Sequence, residues 1–165
     1  IRDRFKGTLR DNMRWGKQDA SDEEIYRALD TAQAREFVDS KGEGLDLYID
    51  QGGHNLSGGQ RQRLTIARAL VRRPEVLIMD DSASALDFAT DARLRKAIRE
   101  NTGDMTVFIV SQRATTIKSA DTILVLDEGR LAGMGTHKEL LKDCQVYREI
   151  CLSQLSKEEV ERDEQ

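Results

Sequence analysis

Short apolar runs alternate along this chain with amphipathic stretches of helical period. Val76-Leu77-Ile78-Met79 is a four-residue apolar run of the kind that forms a buried parallel strand, and it ends in Asp80. Thr106–Val110 predicts a second strand. Thr122–Leu126 and Leu131–Met134, around Asp127-Glu128-Gly129-Arg130, predict a hairpin. Between these runs the spacing changes to that of helices. Ser21-Asp22-Glu23-Glu24 is a capping box opening a helix whose inner stripe is Ile25, Ala28, Leu29 and Ala32. Arg35–Asp39 is expected to continue it, and Gly42 and Gly44 to break the chain before Leu45–Ile49. A helix over Asp87–Asn101 turns Leu94 and Ile98 inward. Another runs over His137–Leu155, opened by the Thr136 and Glu139 capping box, which makes His137 a first-turn residue without chemistry. Beyond Ser156 the chain is charged and expected to fray. Asp80 stands where α/β folds put their chemistry, at the carboxyl end of a strand.

The most informative stretch is Leu56–Gln60, LSGGQ, which runs directly into Arg61-Gln62-Arg63-Leu64 and Ile66-Ala67-Arg68-Ala69-Leu70. Two adjacent glycines let a backbone approach an anion closely. Ser57 caps the helix that follows, with Gln60 in the reciprocal position. Free N–H groups and partial positive charge at such a terminus suit phosphate. Pro74 ends this helix, because the residue before a proline disfavours helical geometry.

Composition adds limits. At 165 residues, with 38% hydrophobic and 34% charged residues, the chain can bury a core. No run approaches the roughly 20 apolar residues that span a bilayer. A net charge of −4 argues against nucleic acid as the main partner, and the cluster Arg61, Arg63, Arg68, Arg72, Arg73 reads as a solvated helix face. Cys144 and Cys151, seven apart on one expected helix, would sit about 10 Å from each other, too far to bridge. Two scattered histidines suggest no metal site.

LSGGQ with its continuation, the strand and Asp80, Ser84-Ala85-Leu86-Asp87, Ser111-Gln112-Arg113 and Gly135-Thr136-His137-Lys138-Glu139-Leu140 stand in an order that resembles an ATP-binding cassette (ABC) nucleotide-binding domain over nearly the whole chain. The resemblance implies the C-terminal part of a P-loop NTPase-type ABC ATPase domain. Residues 1–73 would be the helical signature subdomain, 74–155 the C-terminal part of the ATPase core, and 156–165 a charged tail. It implies ATP and Mg²⁺ as cofactors of the full-length protein. Asp80 would be the Walker B aspartate, which helps to hold Mg²⁺ through water. Ser57, Gly58, Gly59 and Gln60 would face ATP held by a second nucleotide-binding domain, and Ser84, Ala85, Leu86 and Asp87 would form the D-loop at that dimer contact. A membrane domain fused upstream, and a place at the cytoplasmic face of the cell membrane, are also implied. Gln51–Asn55 falls where exporter-type members approach their membrane domain, though a plain flexible loop reads equally well.

No G-x-x-x-x-G-K-[ST] is present, so the chain reads as a C-terminal piece that does not bind ATP alone, and apolar strand edges lead us to expect self-association. Two positions depart from the family pattern. Asp81 stands where the general-base glutamate is usual, and Gln112 where the switch histidine is usual. A carboxylate one methylene shorter sits back by roughly 1.5 Å, and a glutamine can hydrogen-bond a phosphate oxygen but cannot become cationic. An intact signature beside an altered catalytic pair resembles the degenerate-site subunit of a heterodimeric multidrug exporter. A slowly hydrolysing homodimeric exporter and a soluble ABC ATPase are the alternative readings.

Overall fold

A computed structural model describes residues 5–80 and 85–164. The chain forms two compact units, Ile1–Phe108 and Ile109–Gln165. The first is mainly helical. It comprises β1 (Gly7–Thr8), α1 (Leu9–Arg14), α2 (Asp22–Thr31), α3 (Arg35–Ser40), β2 (Tyr48–Ile49), α4 (Gly58–Leu70), β3 (Val76–Asp80) and α5 (Phe88–Asn101). Two single-turn 3₁₀ segments, Gly44–Asp46 and Gln51–Gly53, flank β2. β4 (Thr106–Val110) runs across the division between the units.

Capping fixes where these helices start. Thr8 accepts from Asp11 N–H to open α1, and Ser21 and Glu24 close a complete capping box at α2. Behind the caps, Phe5, Leu9, Met13, Ile25, Leu29, Ile49 and Leu64 are wholly buried. The buried amide of Asn12 is satisfied: its Nδ2 donates to Thr8 O at 2.7 Å and its Oδ1 accepts from Lys6 N–H at 3.3 Å. Gly16 is held against α4 so closely that a Cβ there would run into the Arg68 carbonyl.

Where α2 was expected to continue through Arg35–Asp39, the chain instead breaks and restarts as α3. Gln33 takes φ +56°, Ala34 N–H reaches back to Leu29 O at 2.8 Å, and the Gln33 carbonyl accepts from Arg63 Nη1 at 2.8 Å. A cation thirty residues away thus holds the carbonyl of the left-handed turn, and no local pattern encodes that partner. α4 ends at Leu70, and Arg73, at φ +48°, turns the chain before Pro74.

β3 and β4 are hydrogen-bonded neighbours. They are joined through α5, the crossover that parallel strands require. The strand expected to be buried has one open face: Leu77 and Met79 are buried, but Val76 and Ile78 are 51% and 68% exposed. Phe108 and Val110 on β4 are exposed as well.

The second unit contains α6 (Ala114–Ile117), β5 (Ile123–Asp127), β6 (Arg130–Gly135), α7 (His137–Asp143), α8 (Gln145–Leu152) and α9 (Lys157–Glu164). β5 and β6 form the expected hairpin, in register Ile123↔Gly135 and Asp127↔Arg130. Its two loop residues, Glu128 and Gly129, both have positive φ, which matches the strand twist of a two-residue turn. Ile123, Val125, Leu140, Leu141, Tyr147, Cys151 and Val160 pack together as the core.

Three sequence expectations are corrected here. The helix read over His137–Leu155 is broken at Cys144, whose backbone is extended (φ −123°, ψ 101°), so α7 and α8 fold back around the core. Cys144 and Cys151 are both buried and free, but they do not share a helix. The charged tail is not frayed. Ser156 and Glu159 cap each other, Val160 is buried, and α9 is tied by Arg148–Glu164 at 2.7 Å and Lys118–Asp163 at 3.3 Å. His137 belongs to that anchorage: Nδ1 lies 2.7 Å from the Tyr147 hydroxyl and Nε2 lies 3.5 Å from Asp163 Oδ2. Burial pushes the Tyr147 hydroxyl and the Cys151 thiol up from their ordinary values.

Candidate functional site

The signature helix is built as its sequence demands. Ser57 has extended backbone geometry and its Oγ accepts from Gln60 N–H at 3.2 Å, while Gln60 Oε1 accepts from Ser57 N–H at 3.0 Å. The box uses the Ser57 oxygen as acceptor, which leaves its O–H to donate outward. Ser57 and Gly58 are exposed. The terminus therefore offers an O–H and a glycine-lined approach to an anion.

The segment leading into it is pinned rather than loose. Gly52 N–H donates to Phe5 O at 2.8 Å, Arg61 Nη1 donates to Gly52 O at 3.1 Å, and Asn55 Nδ2 donates to Tyr48 O at 2.9 Å. The flexible-loop reading of Gln51–Asn55 does not hold in this geometry. The solvated-face reading of the arginine cluster also needs correction. Arg72 and Arg73 are exposed, but Arg68 is buried with its guanidinium 4.7 Å from the Phe5 ring centroid. Arg63 lies 5.4 Å from the Phe37 ring. Their long stems pack while their heads find carbonyl or ring partners. Burial lowers the Arg68 guanidinium from its ordinary value.

The same unit brings part of the expected D-loop onto the signature glycines. A Cβ at Gly58 would be 3.6 Å from Ala85 Cβ, an ordinary contact. A Cβ at Gly59 would be 3.1 Å from the Ala85 carbonyl oxygen and 3.4 Å from Leu86 Cδ2. Leu86 is buried. Asp87 caps α5, accepting from Thr90 N–H at 2.9 Å and from Thr90 Oγ1 at 2.8 Å, which holds its carboxyl below the usual range. Asp80 ends β3 with an exposed side chain. Asp81 and Ser84 lie outside the described residues.

Gln112 belongs to the second unit, where it is exposed between β4 and α6. Its loop is tied at several points. Ser111 Oγ accepts from Arg113 N–H at 3.0 Å, Gln154 Nε2 donates to Gln112 O at 2.7 Å, and Ala114 N–H donates to Gln154 Oε1 at 2.9 Å. Sequence reasoning missed Gln154. It lies in no motif, and its partners are 40 and 42 positions away.

Comparison with known proteins agrees with this fold. The ABC transporter family model matches residues 4–84. An uncharacterized ABC transporter ATP-binding protein, YfiB, of Bacillus subtilis is 47% identical over 154 residues, covering 93% of this chain and 26% of that protein. The fold matches a bacterial Atm1-family ABC exporter solved with ATP bound, at a TM-score of 0.88 and 35% identity, over 94% of this chain and 27% of the other. This chain is a portion of an ABC transporter ATP-binding domain. A probable multidrug resistance ABC transporter ATP-binding/permease protein, YheI, also of Bacillus subtilis, is 45% identical over 88% of this chain and 25% of its own length. The chain thus spans about a quarter of the length of these curated relatives. As an ABC domain portion it is homologous to exporter-type ATPases, with the mixed α/β architecture of that domain. No helix among the described residues is long and apolar enough to cross a membrane.

Proposed function

We propose that this chain is the part of an exporter's nucleotide-binding domain that completes an ATP site on a partner domain, while its own site hydrolyses slowly. The observation that carries the proposal is the exposed, fully capped LSGGQ terminus, with Ser57, Gly58, Gly59 and Gln60 arranged to receive a phosphate. ATP supplies a phosphoanhydride, and Mg²⁺ supplies charge neutralisation for its cleavage. This chain's residues divide into two sets. The signature terminus donates hydrogen bonds toward a nucleotide held by the neighbouring domain. Asp80 would help to hold Mg²⁺ through water, Asp81 would orient the attacking water, and Gln112 would donate to the γ-phosphate on this chain's own side.

The second set is compromised. A carboxylate one methylene shorter than glutamate would sit back by roughly one C–C bond, about 1.5 Å, where a base must work at about 2.6–3.2 Å. Gln112 donates a neutral hydrogen bond where a histidine can carry charge. The first set is whole, so the useful site is the one built on the partner, which makes a heterodimeric exporter of the multidrug class the best reading. A membrane domain fused upstream fits the ATP-binding/permease character of YheI, and the cytoplasmic face of the membrane follows from it. In the isolated chain, the exposed faces of β3 and β4 favour self-association over nucleotide binding.

The full-length protein purified without another subunit tests this reading. Its steady-state ATP turnover should lie about 10²-fold or more below that of the two-subunit assembly, as expected when a positioned base is lost. Equal turnover in the two preparations would refute it.

A further inference from the structure

Gln154 lies outside every motif, yet its side chain grips the loop that carries Gln112 from both sides. We propose that Gln154 is a positioning residue for Gln112. Its Nε2 donates to the Gln112 carbonyl at 2.7 Å and its Oε1 accepts from Ala114 N–H at 2.9 Å. A primary amide carries a donor and an acceptor on one planar head, so a single side chain can bracket a two-residue step of backbone. The carbonyl fixes Nε2 and the N–H fixes Oε1, which leaves one orientation of the amide.

The grip comes from an anchored support. Gln154 N–H donates to Cys151 O at 3.0 Å, Leu155 N–H donates to the same carbonyl at 2.8 Å, and Cys151 is wholly buried beside Tyr147. Ala114, on the other side of the grip, is wholly buried too. The amide therefore reaches from a fixed helix end to a fixed helix start, with Gln112 between them. Arg113 N–H, donating to Ser111 Oγ at 3.0 Å, removes further freedom from the same loop. The backbone of Gln112 is thereby set before any ligand arrives. Loss of the grip would leave the Gln112 side chain to find its place by search, and small misplacements near reacting groups are expensive.

The inference rests on the reading of Gln112 as a phosphate-facing residue, so its test separates the two. In the full-length protein purified alone, every site carries Asp81 and Gln112. There Gln154→Ala should lower kcat about tenfold with KM for Mg-ATP within about twofold, the signature of an interaction used in the transition state. Gln154→Glu, nearly isosteric, should be worse than alanine, because it sets a carboxylate against the Gln112 carbonyl. A packing role would rank the two variants the other way. In the same full-length protein, amide exchange at Ala114 should speed up about fivefold in Gln154→Ala, as the loss of one hydrogen bond implies. Gln112→Ala is the reference. If it lowers kcat and Gln154→Ala does not, or if Gln154→Glu behaves as wild type, the positioning role is overturned. If Gln112→Ala leaves kcat unchanged, the phosphate-facing reading fails, and the grip is then judged by Ala114 exchange alone, with unchanged exchange refuting it.

Discussion

Gly59→Ala should cut ATP turnover of the two-subunit assembly by about 10²-fold, a loss comparable to removing one preorganised hydrogen-bond donor at a developing charge. Two effects converge on that methyl group. In the proposed arrangement it stands where a γ-phosphate must approach the helix terminus, so the backbone N–H groups lose contact. Within this chain it also meets the Ala85 carbonyl oxygen at 3.1 Å and Leu86 Cδ2 at 3.4 Å, so the segment after β3 must give way. The structural part can be read separately by thermal unfolding of the present chain. Glycine-to-alanine changes inside a helix usually stabilise by about 1 kcal/mol. Gly58→Ala, with an ordinary 3.6 Å contact at the first helical position, should show part of that gain, and Gly59→Ala should not. Turnover of the Gly59→Ala assembly within about threefold of wild type would mean that the signature terminus does not serve a partner's nucleotide.

The second large effect is a gain. Asp81→Glu in the full-length protein purified alone should raise turnover by about 10²-fold, within the 10²–10⁴ range of a positioned general base. The lower end is expected because Gln112 remains neutral in the variant. In the two-subunit assembly the same change should move steady-state turnover by no more than about twofold, since a competent site already dominates. This contrast separates the heterodimer from its closest rival. A homodimeric exporter that tolerates aspartate would show the full gain in its native assembly.

Much of the local structure was legible in the sequence because its causes are local. Ser21–Glu24, Ser57–Gln60 and Thr136–Glu139 form capping boxes from residues three apart, and each box is present. The β5–β6 hairpin follows from two apolar runs and a glycine turn. The misses have remote causes. The break at Gln33 is bound by Arg63, and the end of the second unit is ordered by Lys118, His137 and Arg148 meeting Asp163 and Glu164. Composition alone made those last residues look like a solvated tail, because the partners of each charge sit far back in the chain. Arg68 was misjudged for a related reason. An arginine reads as surface unless a ring such as Phe5 is known to lie beneath it. At the site, the residues proposed to face a ligand were picked out by motif and chemistry. Gln154, which acts through backbone, left no pattern to find.

The central claim is that one of two paired sites is fast and that this chain contributes its intact signature to the fast one. Rapid-quench single turnover of the two-subunit assembly, loaded with two ATP per dimer, addresses it directly. Half of the bound ATP should be cleaved in a fast phase, and the other half at a rate about 10²-fold slower. Cleavage of all the bound ATP in one phase would contradict it.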